Sequence, residues 1–209
     1  MSEGGQRSGR TALIDAAERL IAEHGPAVSL RQVIAAAGQQ NSAAIRYHFG
    51  NRDRLITAVI DERQSEFEPK RLELLAALEA AGNVTARGLL EALLGPVFEY
   101  QRTGSGSYHA RFMEKVRDYP GVELVGRPEW TATSLIVGRL AANAAESSID
   151  RTIRVRGLIT VVFALLADLE RQHYPSADLR IAAEEATLEM ILGVVSTFPA
   201  VDPSSGPPL

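Results

Sequence analysis

Apolar residues recur at helical spacing along most of the chain, and no stretch alternates as a half-buried strand would. Leu13, Ala16, Ala17, Leu20 and Ile21 predict an amphipathic helix over about residues 11–24, stopped by Gly25-Pro26. Leu30, Val33, Ile34 and Ala37 form the stripe of a short second helix, Ile45 and Phe49 anchor a third over 42–48, and Leu55, Ile56, Val59 and Ile60 open a fourth. Body helices are predicted over 71–80, 89–100, 108–116, 130–145, 150–172 and 178–198, with breaks at Pro69, Gly82-Asn83, 104–107, Pro120-Gly121 and Pro128. The fold class is all-α.

The polar residues between the first stripes fix how they connect. Ser29-Leu30-Arg31-Gln32 reads as a capping box, with the Ser29 hydroxyl and the Gln32 side chain each satisfying a backbone N–H at a helix start. Gly38 stands where a left-handed residue ends that helix, and Asn41 or Ser42 can cap the next. Two short helices joined by a tight turn are a helix-turn-helix. Small residues at the start of its third helix suit an end that lies deep in a groove. Gly50-Asn51 breaks the chain again, and Arg52 falls in the first turn of the fourth helix, where a cation opposes the helix dipole unless an anion shares the place. A DNA phosphate is one such anion.

Composition narrows the chemistry. The chain of 209 residues has no cysteine, which removes disulfides, thiolate nucleophiles and zinc-thiolate sites. Its four histidines stand at no metal-ligand spacing, so neither a metal nor a cofactor is expected. Glu170-x-x-His173 matches half of a di-iron bundle motif and reads as a helix-surface coincidence. The polar N-terminus and the lack of a long apolar run make a cytoplasmic protein, without membrane contact, the expectation. Net charge is −4, yet residues 1–60 carry seven arginines against five acidic residues, and between Ser29 and Leu55 Arg31, Arg46, Arg52 and Arg54 face Asp53 alone. That local field suits a phosphate backbone.

The segments Val28-Ser-Leu-Arg-Gln-Val-Ile-Ala-Ala-Ala-Gly38, Asn41-Ser-Ala-Ala-Ile-Arg-Tyr-His-Phe49 and Gly50-Asn-Arg-Asp-Arg-Leu55 resemble the N-terminal signature of the TetR family of bacterial one-component regulators. The resemblance is strong over about residues 10–60 and rests elsewhere on length and helical character. It departs from the common pattern in a turn one residue longer after Gly38, and in Ser-Ala-Ala where lysine and glycine often stand. It implies that Arg31 reaches a base edge or phosphate, that Gln40, Asn41, Ser42, Ala43 and Ala44 start the recognition helix, and that Arg46, Tyr47, His48 and Arg52 clamp the backbone. Partners so implied are double-stranded operator DNA, a second copy of the chain and a small-molecule effector.

The expected organisation is a disordered arm over 1–9, a DNA-binding domain over 10–55, an effector-binding and dimerisation domain over 56–201 and a disordered tail over 202–209. The helix over 150–172 is apolar round much of its circumference and needs more than one partner. Leu158, Val162, Leu165 and Leu169, with Leu188, Ile191 and Val195 on the last helix, are the expected homodimer interface. Phe98, Phe112, Met113 and Trp130, with Arg102 and Tyr108 close in sequence, have the make-up of a small-molecule pocket. The expected function is a ligand-responsive, non-enzymatic transcriptional regulator, a repressor released from a palindromic operator. The alternative is an all-helical enzyme or carrier with the first helices as an interaction module.

Overall fold

The computed structural model describes residues 3–39, 44–103, 107–122, 127, 129–142 and 148–196. These residues form helices alone: α1 Glu3–His24, α2 Leu30–Ala36, α3 Ala44–His48, α4 Arg52–Ala80, α5 Ala86–Thr103, α6 His109–Val116, α7 Thr131–Ala142, α8 Ser148–Arg171 and α9 Ala177–Ser196. The all-α expectation holds. α1 begins at Glu3 rather than near residue 11, so helix occupies most of the segment expected to be a disordered arm. The expected tail at 202–209 lies outside the described residues.

Two apolar clusters organise the chain. One joins Leu13, Ile14 and Ile21 of α1 to Val33, Ile34, Ile45 and Phe49, to Leu55, Ile56 and Val59 of α4, and also to Phe112, Met113 and Val116 of α6 and to Trp130. The other gathers α5, α7, α8 and α9 around Phe67 and Leu75 further along α4. α4 therefore threads both. Side chains such as Leu55, Ile56 and Leu75 are almost wholly buried, each worth roughly 1.5–3 kcal/mol of transfer free energy.

Pro69, expected to break the chain, lies inside continuous α4. A proline there removes one backbone hydrogen bond, but Pro69 is exposed, so the freed carbonyl meets water. The apolar anchors on either side, Val59 and Ile60 in one cluster and Phe67 and Leu75 in the other, outweigh that loss.

Two carboxylates, one largely and one fully buried, start helices of the body from a distance. Glu68 accepts from the backbone N–H of Ala132 (3.0 Å) and Thr133 (3.2 Å) and from the Thr133 hydroxyl, capping α7. Glu170 accepts from the N–H of Ala110 (3.2 Å) and Arg111 (3.0 Å) and from the Ser107 hydroxyl (2.6 Å), capping α6. This corrects the reading of Glu170 as a surface residue: its side chain is 3% exposed and bonds α8 to α6.

The residues expected at the dimer interface all pack within the chain itself. Leu158, Val162, Leu169, Leu188, Ile191 and Val195 are buried in the chain's own core, with Leu165 packed against it. Periodicity identified the apolar face of each helix, and a face carries no mark of which partner covers it.

Candidate nucleic-acid interface and core cavity

The helix-turn-helix forms as its local chemistry dictates. Ser29 Oγ accepts from the Gln32 N–H (3.2 Å) and the Ser29 N–H donates to Gln32 Oε1 (3.0 Å), completing the capping box at α2. Gly38 has φ +65, and its left-handed turn lets the Gln39 N–H close on the Ile34 carbonyl (3.0 Å). Val33, Ile34, Ile45 and Phe49 face the first cluster. Arg31 and Arg46 consequently point outward, together with Tyr47, which is 69% exposed and meets the His48 ring edge-on at 5.0 Å.

Of the residues the sequence assigned to DNA, then, Arg31, Arg46, Tyr47 and half-buried His48 lie on the α2–α3 surface. Gln40, Asn41, Ser42 and Ala43 lie outside the described residues, and of Ala44 only its place at the start of α3 is described. Arg52 has a different setting from the one foreseen. Its Nη1 donates to the carbonyls of Pro26 and Val28, the latter at 2.6 Å, so the partner for this first-turn cation comes from inside the chain. Arg52 staples the start of α4, which Asn51 caps through the Arg54 N–H (2.9 Å), to the segment that leads into α2.

Behind the head lies a core cavity of about 60 Å³. Its walls are mostly apolar, with Leu93 and Val97 of α5, Val137 of α7 and Leu158 and Val162 of α8, and its polar edge is Gln64, Arg71, Thr133 and His109. Of the residues expected to bind a small molecule, Met113 and Trp130 line it. Phe112 is fully buried in the head-side cluster and Phe98 in the body core. Arg102 is exposed at the end of α5 and pairs with Glu184 at 3.0 Å. Tyr108 borders a separate cleft between head and body, with the Arg111 guanidinium 4.8 Å from its ring centre.

Gln64, Arg71 and Thr133 were missed. A signal was present, since Arg71 stands between Phe67 and Leu75 at four-residue spacing, a charge on a stripe that is otherwise apolar. Arg71 donates from Nε to the Leu93 carbonyl (3.0 Å) and from Nη1 to Gln64 Oε1 (2.5 Å) and Thr133 Oγ1 (2.9 Å). Burial pushes its guanidinium down to about 10, which Glu68 opposes without prevailing.

A second buried polar group joins head to body. Arg63 of α4, its side chain 11% exposed, donates to Glu18 of α1 from Nε (3.1 Å) and Nη2 (2.6 Å), and also holds Asp15 (2.9 Å) and Glu66 (3.0 Å). His109, at the start of α6, brings Nδ1 to 3.4 Å from Glu18 Oε1 and packs its ring edge-on to Phe67 at 5.3 Å. Burial raises the Glu18 carboxyl, but His109 and Arg63 together outweigh burial and hold it below its ordinary range. His109 thus borders the cavity on one side and the α1 carboxylate on the other.

The model of the N-terminal domain of the bacterial regulatory proteins of the tetR family matches residues 13–59. An HTH-type transcriptional repressor of Mycobacterium tuberculosis is 34% identical over 104 residues, 47% of this chain and 54% of that protein. An HTH-type transcriptional regulator of Mycobacterium bovis matches to the same extent, so the chain spans about half the length of the curated relatives it matches. Among solved structures, a TetR-family regulator from Streptomyces coelicolor covers 94% of this chain and 99% of its own at 17% identity and a TM-score of 0.44. A gamma-butyrolactone receptor covers 91% and 98% at 17% identity and a TM-score of 0.48.

Proposed function

We propose that the chain is a member of the tetR family of bacterial regulatory proteins, whose model matches residues 13–59, and that it is a cytoplasmic, dimeric, ligand-responsive transcriptional repressor that leaves a near-palindromic operator when a small molecule enters the core cavity. The observation that carries this reading is the α2–α3 pair, whose apolar sides are consumed by the head cluster while Arg31, Arg46 and Tyr47 stand outward. A basic surface of that geometry meets a phosphate backbone, and the N-terminal end of α3 enters the major groove. The all-helical enzyme or carrier accounts for none of this.

Dimerisation is assigned to the outer faces of α8 and α9. Ile153 and Gly157 on α8, and Ala182, Ala186, Met190 and Gly193 on α9, are exposed and recur at helical spacing. Small residues let two helices approach closely, and Ile153 (63% exposed) and Met190 (51%) supply apolar area for a second copy to cover. Two heads held by that interface read half-sites about 34 Å apart or a multiple of it.

Coupling runs through α6, which packs against α1 on one side and α8 on the other and lends His109 and Met113 to the cavity. A molecule that widens the cavity shifts α6 and with it the head. Moving the population from 1:99 to 99:1 takes about 5.5 kcal/mol of preference for the non-binding conformer.

A gel-shift titration against DNA flanking the protein's own coding region tests the assignment. Arg31→Ala is expected to cost about 1–3 kcal/mol and to relax sequence preference, and Arg46→Ala to weaken all sequences alike and lower the salt slope by about 1. Equal binding by the wild type and both variants refutes the DNA assignment.

A further inference from the structure

We infer that the core cavity is built for an apolar molecule carrying one carboxylate, and that Arg71 is the residue that receives it. The inference rests on the reading of this cavity as the effector site and adds the chemistry of what enters. The polar edge of the cavity sets an arginine in a wall of aliphatic side chains, where a charge is tolerated only if balanced. The neighbouring carboxylate, Glu68, pairs with it and balances it only in part. Its oxygens already serve the N–H groups of Ala132 and Thr133 and the Thr133 hydroxyl at the start of α7, and its nearest approach to Arg71 is 3.6 Å. The helix dipole of α7 absorbs part of that negative charge. Every hydrogen bond of Arg71 to the described residues leaves from Nε or Nη1, and two of its three acceptors are neutral side chains and the third a carbonyl. Nη2 has no acceptor among the described residues, and Arg71 lines the cavity.

A carboxylate there gains a charge-assisted bond to a guanidinium already fixed by α5 and α7, so little side-chain freedom is lost on binding. Gln64 and Thr133 flank the same place, and Glu68 sets the limit: its charge tolerates one anionic group and disfavours a dianion. An ammonium group would face Arg71 directly. The rest of the ligand meets Leu93, Val97, Val137, Leu158 and Val162, which accept hydrocarbon. At about 60 Å³ the cavity is smaller than the roughly 150 Å³ that takes benzene in a protein core. A longer hydrocarbon body must therefore displace the α6 or α8 wall, which ties recognition of the carboxylate to movement of α6.

The test uses the full chain and three probes with one hydrocarbon body: hexanoate, 1-hexanol and hexylamine, followed by ligand-observed NMR and by thermal shift. Expected is that hexanoate binds at least about ten-fold more tightly than the other two, the lower end of what a hydrogen bond to a charged group contributes. Because Arg71 ties α4 to α5 and α7, this wild-type series decides the question without any variant. Two variants sharpen it. Arg71→Met abolishes the preference for hexanoate while 1-hexanol still binds. Glu68→Gln keeps an oxygen for capping α7, removes the competing charge and tightens hexanoate several-fold, where a merely structural role for Glu68 would weaken it. Binding of 1-hexanol or hexylamine as tight as hexanoate overturns the inference, as does binding of none of the three, or undiminished hexanoate binding by Arg71→Met. Release of operator DNA by 1-hexanol but not hexanoate refutes the carboxylate and leaves the effector reading standing. Tight hexanoate binding at Arg71 that leaves the DNA complex untouched does the reverse.

Discussion

Glu18→Gln is the sharpest test of how the head is held to the body. Glu18 is 3% exposed and takes hydrogen bonds from Nε and Nη2 of Arg63 across the α1–α4 contact. Removing one member of a buried ion pair costs about 3–5 kcal/mol. Glutamine keeps an accepting oxygen, and Asp15 and Glu66 remain on the guanidinium, so the expected loss is at the lower end, about 3 kcal/mol. With a urea dependence of about 2–3 kcal/mol per molar for a chain of this size, the unfolding midpoint falls by roughly 1 M, read by circular dichroism. The pH dependence gives a second, independent reading. The folded carboxyl lies below its ordinary 4.5, so its contribution is fully present above that value and is lost as pH falls through the folded one. The wild type must therefore lose stability more steeply than Glu18→Gln on acidification below about pH 4.5, and the two midpoints converge. Equal urea midpoints at neutral pH, or parallel acid profiles, refute the reasoning.

Three further outcomes follow from the geometry. Gly38→Ala places a side chain at φ +65 in otherwise open space, so its cost of about 1–2 kcal/mol is purely conformational and appears as lost amide-exchange protection in α2 and α3. Arg52→Ala removes charge-assisted bonds to the carbonyls of Pro26 and Val28 and lowers head stability by about 1.5–3 kcal/mol in the absence of DNA, measurable as a reduced melting temperature; an unchanged melting temperature would return Arg52 to the role of phosphate clamp alone. If the outer face of α9 forms the proposed dimer interface, Ala186→Glu sets a charge in it and is expected to shift the mass read by light scattering from dimer toward monomer; a variant that stays dimeric removes that face from the interface.

Much of the head was legible because its signals are local. The capping box at Ser29 and the left-handed Gly38 each depend on residues within one turn, and both stand in the structure where the sequence put them. Arg52 was legible only in part. Its place in the first turn of α4 was clear, but its partners are carbonyls more than twenty positions earlier in the chain, and no local pattern names them. The same limit applies to α8. Its broad apolar circumference announced several partners, yet whether Leu158 and Leu188 face a second chain or their own core depends on how α5 and α7 close over them.

The charged residues missed by pattern are the ones that join the elements of the proposed coupling, and the reason is physical. A stripe analysis collects apolar positions and sets aside the charges among them, but a buried charge on a stripe must be matched by partners on another element. Glu18 follows Ile14 by four residues in α1, and Arg63 and Arg71 stand on the inner face of α4. Each forced a tertiary contact: Glu18 with Arg63 across head and body, Arg71 with Leu93 and Thr133 across three helices. The domain boundary expected at residue 55 falls inside α4, within the head-side apolar cluster, and α4 carries both sets of charges. A helix shared in this way cannot be displaced at the cavity without strain reaching Arg63. The buried His109, touching cavity and Glu18 alike, places α6 on that same route. Coupling between cavity and operator then requires that Glu18→Gln alter the effector concentration needed for DNA release, even though Glu18 touches neither DNA nor the cavity. A variant that is destabilised yet releases DNA at an unchanged effector concentration would confine the Glu18–Arg63 pair to holding the fold.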